Sequence, residues 1–534
     1  MNHDPYYYPF SSRRMVTYGT HGMVATSQTL ASQAGMEILK QGGNAVDAAI
    51  ATAAMLTVVE PTSNGLGSDA FAIVWMNGEL HGLNASGPSP HDISRNDVVD
   101  AGHDQMPEHG WIPVTVPGAP AGWAALSQRF GRLPFKTLLQ PAIQTAEQGY
   151  VVTPTVSQMW QEAYELYRRY DDPVFDEWFK VFCPEGHAPR PGDIWKSGDH
   201  AKTLALIADT MAQDFYSGQT AERIASSAKQ SGGYLTGIDL VQYAPEWVEP
   251  VKVSYRGYEV WEIPPNGAGL VALMALNTLN HYEDTHDEVE TLHRKIEATK
   301  LAYVDGFQYI SDKAYMSTDV NALLAASYAD ERRAEIGEHA LTPTPGDPVK
   351  SGTVYLATAD GEGNMVSFIQ SNFMNFGSGV VVPGTGISLQ NRGASFSLDP
   401  EHVNVLAPGK KTYHTIIPGF LTYQGRAIGP FGVMGGFMQP QGHVQVITAM
   451  LDDKLNPQAT LDAPRWRWVG GKTVEVEPGF PDYLAQALVR RGHDIIRATD
   501  SMLFGRGQII LRDPDTGVLC AGTEPRTDGS VAAW

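Results

Sequence analysis

Thr353 stands where a proline-rich stretch gives way to alternating residues. Pro343, Pro345, Gly346 and Pro348 cannot sustain a helix, so this segment reads as an exposed connector. Beyond Gly352, the residues Val354, Leu356 and Thr358 alternate with Tyr355, Ala357 and Ala359, which predicts a strand beginning at Thr353. A β-branched residue there can be chemically idle. The stretch Gly363 to Asn372, however, reads as the returning arm of a hairpin, which brings Ser371 back beside Thr353. Two adjacent hydroxyls suit nucleophilic catalysis, in which one attacks a carbonyl once a base has taken its proton.

Rival chemistries find less support. The sixteen histidines include no HExxH and no paired ligand spacing, so no metal site is expected. The glycines of Gln41-Gly42-Gly43-Asn44 form neither GxxxxGK[ST] nor GxGxxG, which argues against a phosphate loop, and Asp47 reads as a structural hydrogen-bonder. Gly65 to Ala70 does not match GxSxG and reads as a loop packed near the site.

The elements that must position these residues are legible in outline. Gly22 to Ser27 predicts a buried strand, followed by a helix with Leu30, Ala34 and Ile38 on one face that stops at Gly42-Gly43. Asn44 can cap a second helix from Ala45 to Thr57. Ala70 to Trp75 and Glu79 to Leu83 flank Asn77-Gly78, a hairpin signal. From about Pro117 to Gly337 the signals are mostly helical, including a long helix with Val289, Leu292, Ile296 and Tyr303 on its apolar face. Tyr164, Tyr167, Arg168, Arg169 and Tyr170, followed by Asp171 and Asp172, read as a solvated helix end. After Thr353 a second hairpin turns at Gln424-Gly425, Gly442 leads into a helix with Val444, Ile447 and Leu451, and Leu484, Ala487 and Leu488 mark another. Strands and helices occur in runs, which favours an α+β arrangement of stacked layers.

A length of 534 residues with 43% hydrophobic content supports a large two-part core. The formal charge of −21, without a Lys/Arg cluster, argues against nucleic acid and anionic membranes as partners. Cys183 and Cys520 alone make no disulfide framework or thiolate metal site. Met1 to Phe10 has no secretory pattern and no later stretch is apolar enough to span a bilayer, so a cytoplasmic location is expected.

Together with Phe376 to Ile387 and Val433-Met434-Gly435-Gly436, these motifs resemble the γ-glutamyltransferase family of N-terminal-nucleophile hydrolases, from Gly22-Met23-Val24-Ala25 to Glu524 through Gly529. The resemblance implies a four-layer αββα sandwich built jointly by residues 1–352 and 353–534. It implies that the precursor cuts its own Gly352-Thr353 bond, that the two products stay together as a heterodimer, and that the freed α-amino group of Thr353 is the base. An α-amino group, with a reference pKa of about 7.7–8.0, can do this without a His-Asp relay. By the same resemblance Ser371 orients the nucleophile, and the backbone N–H groups of Gly435 and Gly436 form an oxyanion hole. The reaction would be cleavage of a small-molecule amide, with the acyl group passed to water or an amine and no cofactor needed. A non-catalytic homologue is the remote alternative.

The substrate shell departs from the family pattern. Ser86 occupies the place of an arginine that grips the γ-glutamyl α-carboxylate, and Phe373, beside Asn372, replaces an asparagine that reaches its amino group. An acidic pair is replaced by Arg392 and Ser395, and a Ser-Ser pair by His414-Thr415. The short span from Ser395 to His414 implies that the covering loop is absent, leaving an open site. Two substrate classes follow: γ-glutamyl compounds such as glutathione, or another amide such as oxamate or a glutaryl or cephalosporin-type acyl group, with Arg392 and His414 as carboxylate binders.

Overall fold

The computed structural model of the chain describes residues 4–6, 13–280, 282, 285–343 and 352–534. Residues 344–351, where most of the expected connector falls, and residues 1–3 and 7–12 lie outside these.

Two seven-stranded sheets face each other. In the first, the order is Ser530–Ala533, Gly22–Thr26, Gly352–Asp360, Met365–Phe373, Asp69–Met76, Glu79–Ala85 and Glu246–Val248. In the second it is Thr17–Gly19, Leu519–Thr523, Arg506–Arg512, Arg426–Met434, Gly419–Tyr423, Tyr258–Glu262 and Val251–Tyr255. Aromatic residues fill the space between them: Trp75 stacks on Phe420 at 6.2 Å between ring centres. Gly432 lies so near the Tyr355 ring that a Cβ there would come within 2.4 Å of it.

Helices cover both outer faces, which completes the αββα sandwich. The helix Ala45–Val59 is buried along its whole length and packs on Gly352–Asp360 and Met365–Phe373. Its small residues allow that approach, and Asn44 closes its start with a capping box. Asp47 accepts from Asn44 N, Arg132 N and Leu133 N, so it ties this helix to a neighbouring loop as expected of a structural carboxylate. Gly269–Asn280 and Met438–Leu451 cover the second sheet.

The two hairpins turn where expected, with φ of 53° and 86° at Asn77 and Gly78 and of 49° and 74° at Gln424 and Gly425. Other expectations need correction. Leu30 is 40% exposed because the inward face of Thr29–Lys40 is carried by Ala31, Ala34 and Ile38. Tyr167 belongs to the core rather than to a solvated helix end, held in an aromatic cluster with Phe175 and Trp178. The stretch taken as helical contains the strands Glu246–Val248, Val251–Tyr255 and Tyr258–Glu262. The helix expected to follow Gly442 starts at Met438. No helix among the described residues is long and apolar enough to cross a membrane.

Candidate active site

Gly352–Asp360 and Met365–Phe373 form the expected hairpin, with Gly352 opposite Phe373 and Val354 opposite Gln370. The register slips between those pairs, and Thr353 sits at the irregularity. There Thr353 Oγ1 and Ser371 Oγ are 3.0 Å apart. Ser371 Oγ also accepts the Phe373 N–H at 2.8 Å, so a backbone group fixes the second hydroxyl. Phe373 has φ of 78°, uncommon for a bulky residue, at the very end of its strand. Thr353 is 1% exposed and Ser371 fully buried, so both hydroxyls lie within the sandwich.

Arg392 is fully buried, which excludes a solvated surface role. Its guanidinium lies over the Phe373 ring, 4.2 Å from its centre, and Nη1 donates to Thr415 Oγ1 at 2.8 Å. Nε and Nη2 have no hydrogen-bond partner among the described residues. Burial lowers the guanidinium from its ordinary value while Asp69 opposes the shift; a guanidinium stays protonated in proteins, so a positive charge stands here with donors to spare.

His414 takes a different place from the one expected. Its Nε2 is 2.9 Å from Asp69 Oδ2, and Ile416 N points at Nδ1 from 3.4 Å, which makes Nε2 the donor and Nδ1 the acceptor. Burial, with Arg392 and Lys411 nearby, holds its pKa well below the usual imidazole range. A neutral ring with both nitrogens engaged cannot grip a substrate carboxylate, so His414 is a supporting residue. Burial pushes Asp69 up to about 7, against the opposing pull of Arg392, and Asp69 also accepts from Gly87 N at 3.2 Å.

The remaining candidates fall around this centre in unequal roles. Ser86 Oγ donates to Asn84 Oδ1 at 2.7 Å, and Asn84 Nδ2 donates to Asn266 Oδ1 at 2.9 Å, so Ser86 is part of a buried amide network. Asn372 accepts from Ser68 Oγ at 2.9 Å and donates to Ser388 Oγ at 3.1 Å. That contact confirms the Gly65 to Ala70 loop as packing against the site, and a Cβ on Gly67 would meet Ser388 O at 2.3 Å. Ser395 Oγ is buried without a partner among the described residues. Gly435 and Gly436, with φ of 132° and 58°, join the strand Arg426–Met434 to the helix Met438–Leu451. Their carbonyls accept from Met438 N and Gln439 N, each at 3.0 Å.

The profile of the gamma-glutamyltranspeptidase family matches residues 31–534. The chain belongs to the γ-glutamyltranspeptidase family. It is 38% identical to the Bacillus subtilis glutathione hydrolase-like YwrD proenzyme over 96% of this chain and 98% of that protein. It is 34% identical to the Klebsiella pneumoniae oxamate amidohydrolase proenzyme over 96% and 99%. The crystal structure of the cephalosporin acylase from Bacillus halodurans superposes with a TM-score of 0.97, covering 99% of both chains at 61% identity. The chain is thus an amide-cleaving hydrolase with the N-terminal-nucleophile fold of the γ-glutamyltranspeptidase family.

Within this γ-glutamyltranspeptidase fold, sequence reading missed Asp69, Asn84 and Asn266. Asn266 Nδ2 donates to Thr412 O at 2.8 Å and its carbonyl accepts from His414 N at 2.9 Å, which fastens the segment carrying Thr415. The asparagine of Pro264-Pro265-Asn266 offered the one available signal, a polar residue in a stretch that cannot pair as strand. His293, Glu297 and His493 form a group with metal-ligand atoms among the described residues. It does not fit an ion as arranged, because His293 Nδ1 and His493 Nε2 bond each other at 2.8 Å and the Lys300 ammonium lies 2.7 Å from Glu297 Oε1.

Proposed function

We propose that the chain is a self-processing threonine amidohydrolase whose nucleophile is Thr353 and whose preferred acyl group carries a carboxylate but no α-amino function. The observation that carries the reading is the Thr353 Oγ1 to Ser371 Oγ contact of 3.0 Å at the start of a strand. In maturation, Thr353 Oγ1 attacks the Gly352 carbonyl carbon, the Gly352-Thr353 C–N bond breaks, and water hydrolyses the resulting ester. The products, residues 1–352 and 353–534, remain a heterodimer. In turnover, the freed α-amino group of Thr353 takes the Oγ1 proton as Oγ1 attacks the substrate amide. Gly435 and Gly436 N–H groups meet the negative charge on the carbonyl oxygen. The proton passes to the leaving amine, and water or a second amine releases the acyl group from Thr353.

The specificity follows from the charges. Arg392, carrying donors without partners among the described residues, suits a carboxylate, and Thr415 and Phe373 hold its plane. A γ-glutamyl amino group would need an anionic partner, and Asp69 is committed to His414 and Gly87. Ser86, turned into the Asn84 network, offers no charge for the α-carboxylate.

The test is kcat/KM of the processed enzyme on γ-glutamyl-p-nitroanilide and glutathione beside glutaryl-p-nitroanilide, a cephalosporin-type acyl amide and oxamate. A glutaryl, cephalosporin-type or oxamate preference is expected. A γ-glutamyl preference above about tenfold, equal to about 1.4 kcal/mol, would overturn the specificity. An uncut, fully active chain would overturn the maturation.

A further inference from the structure

Glu262 and His443 are both fully buried, lie on opposite sides of the expected cut, and have no part in the chemistry above. His443 Nδ1 is 2.6 Å from Glu262 Oε1, and His443 Nε2 is 3.2 Å from Val433 N. The Val433 N–H can only donate, so Nε2 must be the acceptor and Nδ1 must carry the ring proton toward Glu262. A doubly protonated ring would set two donors against each other at Val433. Burial raises the Glu262 carboxyl from its ordinary range while His443 opposes the shift.

Val433 lies two positions before Gly435. The strand Gly419–Tyr423, the neighbour on one side, pairs only as far as Phe431, whereas Val433 still pairs with Gly507 on the other. Beyond Phe431 His443 takes the place of a strand partner. The approach depends on Gly442, where a Cβ would meet Val433 Cγ1 at 2.6 Å. Downstream, the turn is held by Met438 N and Gln439 N on the carbonyls of Gly435 and Gly436. Upstream, the imidazole is the side-chain hold nearest the two glycines.

We propose that Glu262 and His443 are positioning residues for the Gly435-Gly436 turn: Glu262 selects the imidazole tautomer, the imidazole fixes Val433 N–H, and the turn is thereby aimed at the reacting carbonyl oxygen. This rests on the oxyanion role given to the glycines above. Charge on that oxygen exists only in the transition state, so the pair acts on kcat rather than on KM.

The experiment compares His443→Leu, His443→Gln, Glu262→Leu and Glu262→Gln with the wild type, using the best amide of the substrate panel and recording cutting, kcat, KM and melting temperature. Glutamine at either position can keep both hydrogen bonds, so both Gln variants are expected to retain most of the activity. Both Leu variants are expected to lose about 10- to 100-fold in kcat, the scale of a small misplacement of catalytic groups, with KM within twofold. Nitrogen-15 NMR of the wild-type histidines is expected to show His443 protonated at Nδ1, a readout that needs no variant to fold. Protonation at Nε2, or Leu variants with kcat within twofold of wild type, would overturn the proposal. So would Gln variants as impaired as the Leu ones. A wild type that is neither cut nor active would refute the proposed function instead.

Discussion

Arg392 lies across Phe373, with its guanidinium carbon 4.2 Å from the ring centre, and gives one N–H to Thr415. A lysine cannot reproduce this, since an ammonium has neither the plane that stacks nor the fork that holds a carboxylate. Arg392→Lys is expected to raise KM for a carboxylate-bearing acyl amide at least about tenfold, about 1.4 kcal/mol, with kcat little changed. Steady-state kinetics on glutaryl-p-nitroanilide check this; an unchanged KM would place the substrate carboxylate elsewhere.

Thr353→Ala should leave one intact chain and no amidase activity, whereas the wild type should give two fragments that meet at Gly352-Thr353. Thr353→Ser keeps a hydroxyl and is expected to retain part of both reactions. Intact-mass spectrometry and one activity assay decide the matter.

Ser371 Oγ is fixed by Phe373 N–H and faces Thr353 Oγ1. Removing it in Ser371→Ala should cost about 1–3 kcal/mol in the transition state, a fall of roughly tens to hundreds in kcat with KM nearly constant. The measurement requires fully processed variant, verified by mass. Wild-type kcat would reduce Ser371 to a strand residue.

Burial raises the Asp69 carboxyl from its ordinary value of 3.8 to about 7, with Arg392 opposing the shift. The folded chain therefore binds this proton more tightly than the unfolded chain does. The group's contribution to stability is fully present below about pH 4 and is lost as pH rises through about 7. Asp69→Asn removes the titration and keeps one acceptor oxygen for either His414 Nε2 or Gly87 N, a loss that is the same at every pH. The melting temperature of the variant relative to wild type is expected to climb between pH 4.5 and 7.5, as calorimetry at several pH values would show; a constant difference would mean that Asp69 titrates alike in both states.

The hairpin of Thr353 and Ser371 was legible because its alternation and its glycine turn lie within about twenty residues, where local geometry decides pairing. The Asn44 cap and the Asn77-Gly78 turn were readable for the same reason. His414 was misjudged because its partner Asp69 lies 345 residues away, and no local pattern reports such a meeting. Tyr167 was misjudged because the charges after it outweighed, on paper, an aromatic cluster that only packing reveals. Val251–Tyr255 and Tyr258–Glu262 did carry a signal, alternating valines and aromatics around Arg256-Gly257, but the surrounding helices masked it. Arg392 was open to both a buried and a surface reading until Phe373 and Thr415 were seen to enclose it.

In the first sheet, Gly22–Thr26 is hydrogen-bonded on one side to Ser530–Ala533 and on the other to Gly352–Asp360, while Met365–Phe373 is bonded to Asp69–Met76. In the second, Leu519–Thr523 meets Thr17–Gly19 and Gly419–Tyr423 meets Tyr258–Glu262. Strands from before and after Gly352 are thus shuffled like two hands of cards, and breaking one peptide bond cannot deal them apart. Under the proposed maturation the bond at Gly352-Thr353 would work as a fuse rather than as glue: its loss would free an amine while the particle kept its size. Halves made as separate polypeptides would each bare strand edges open to mispairing.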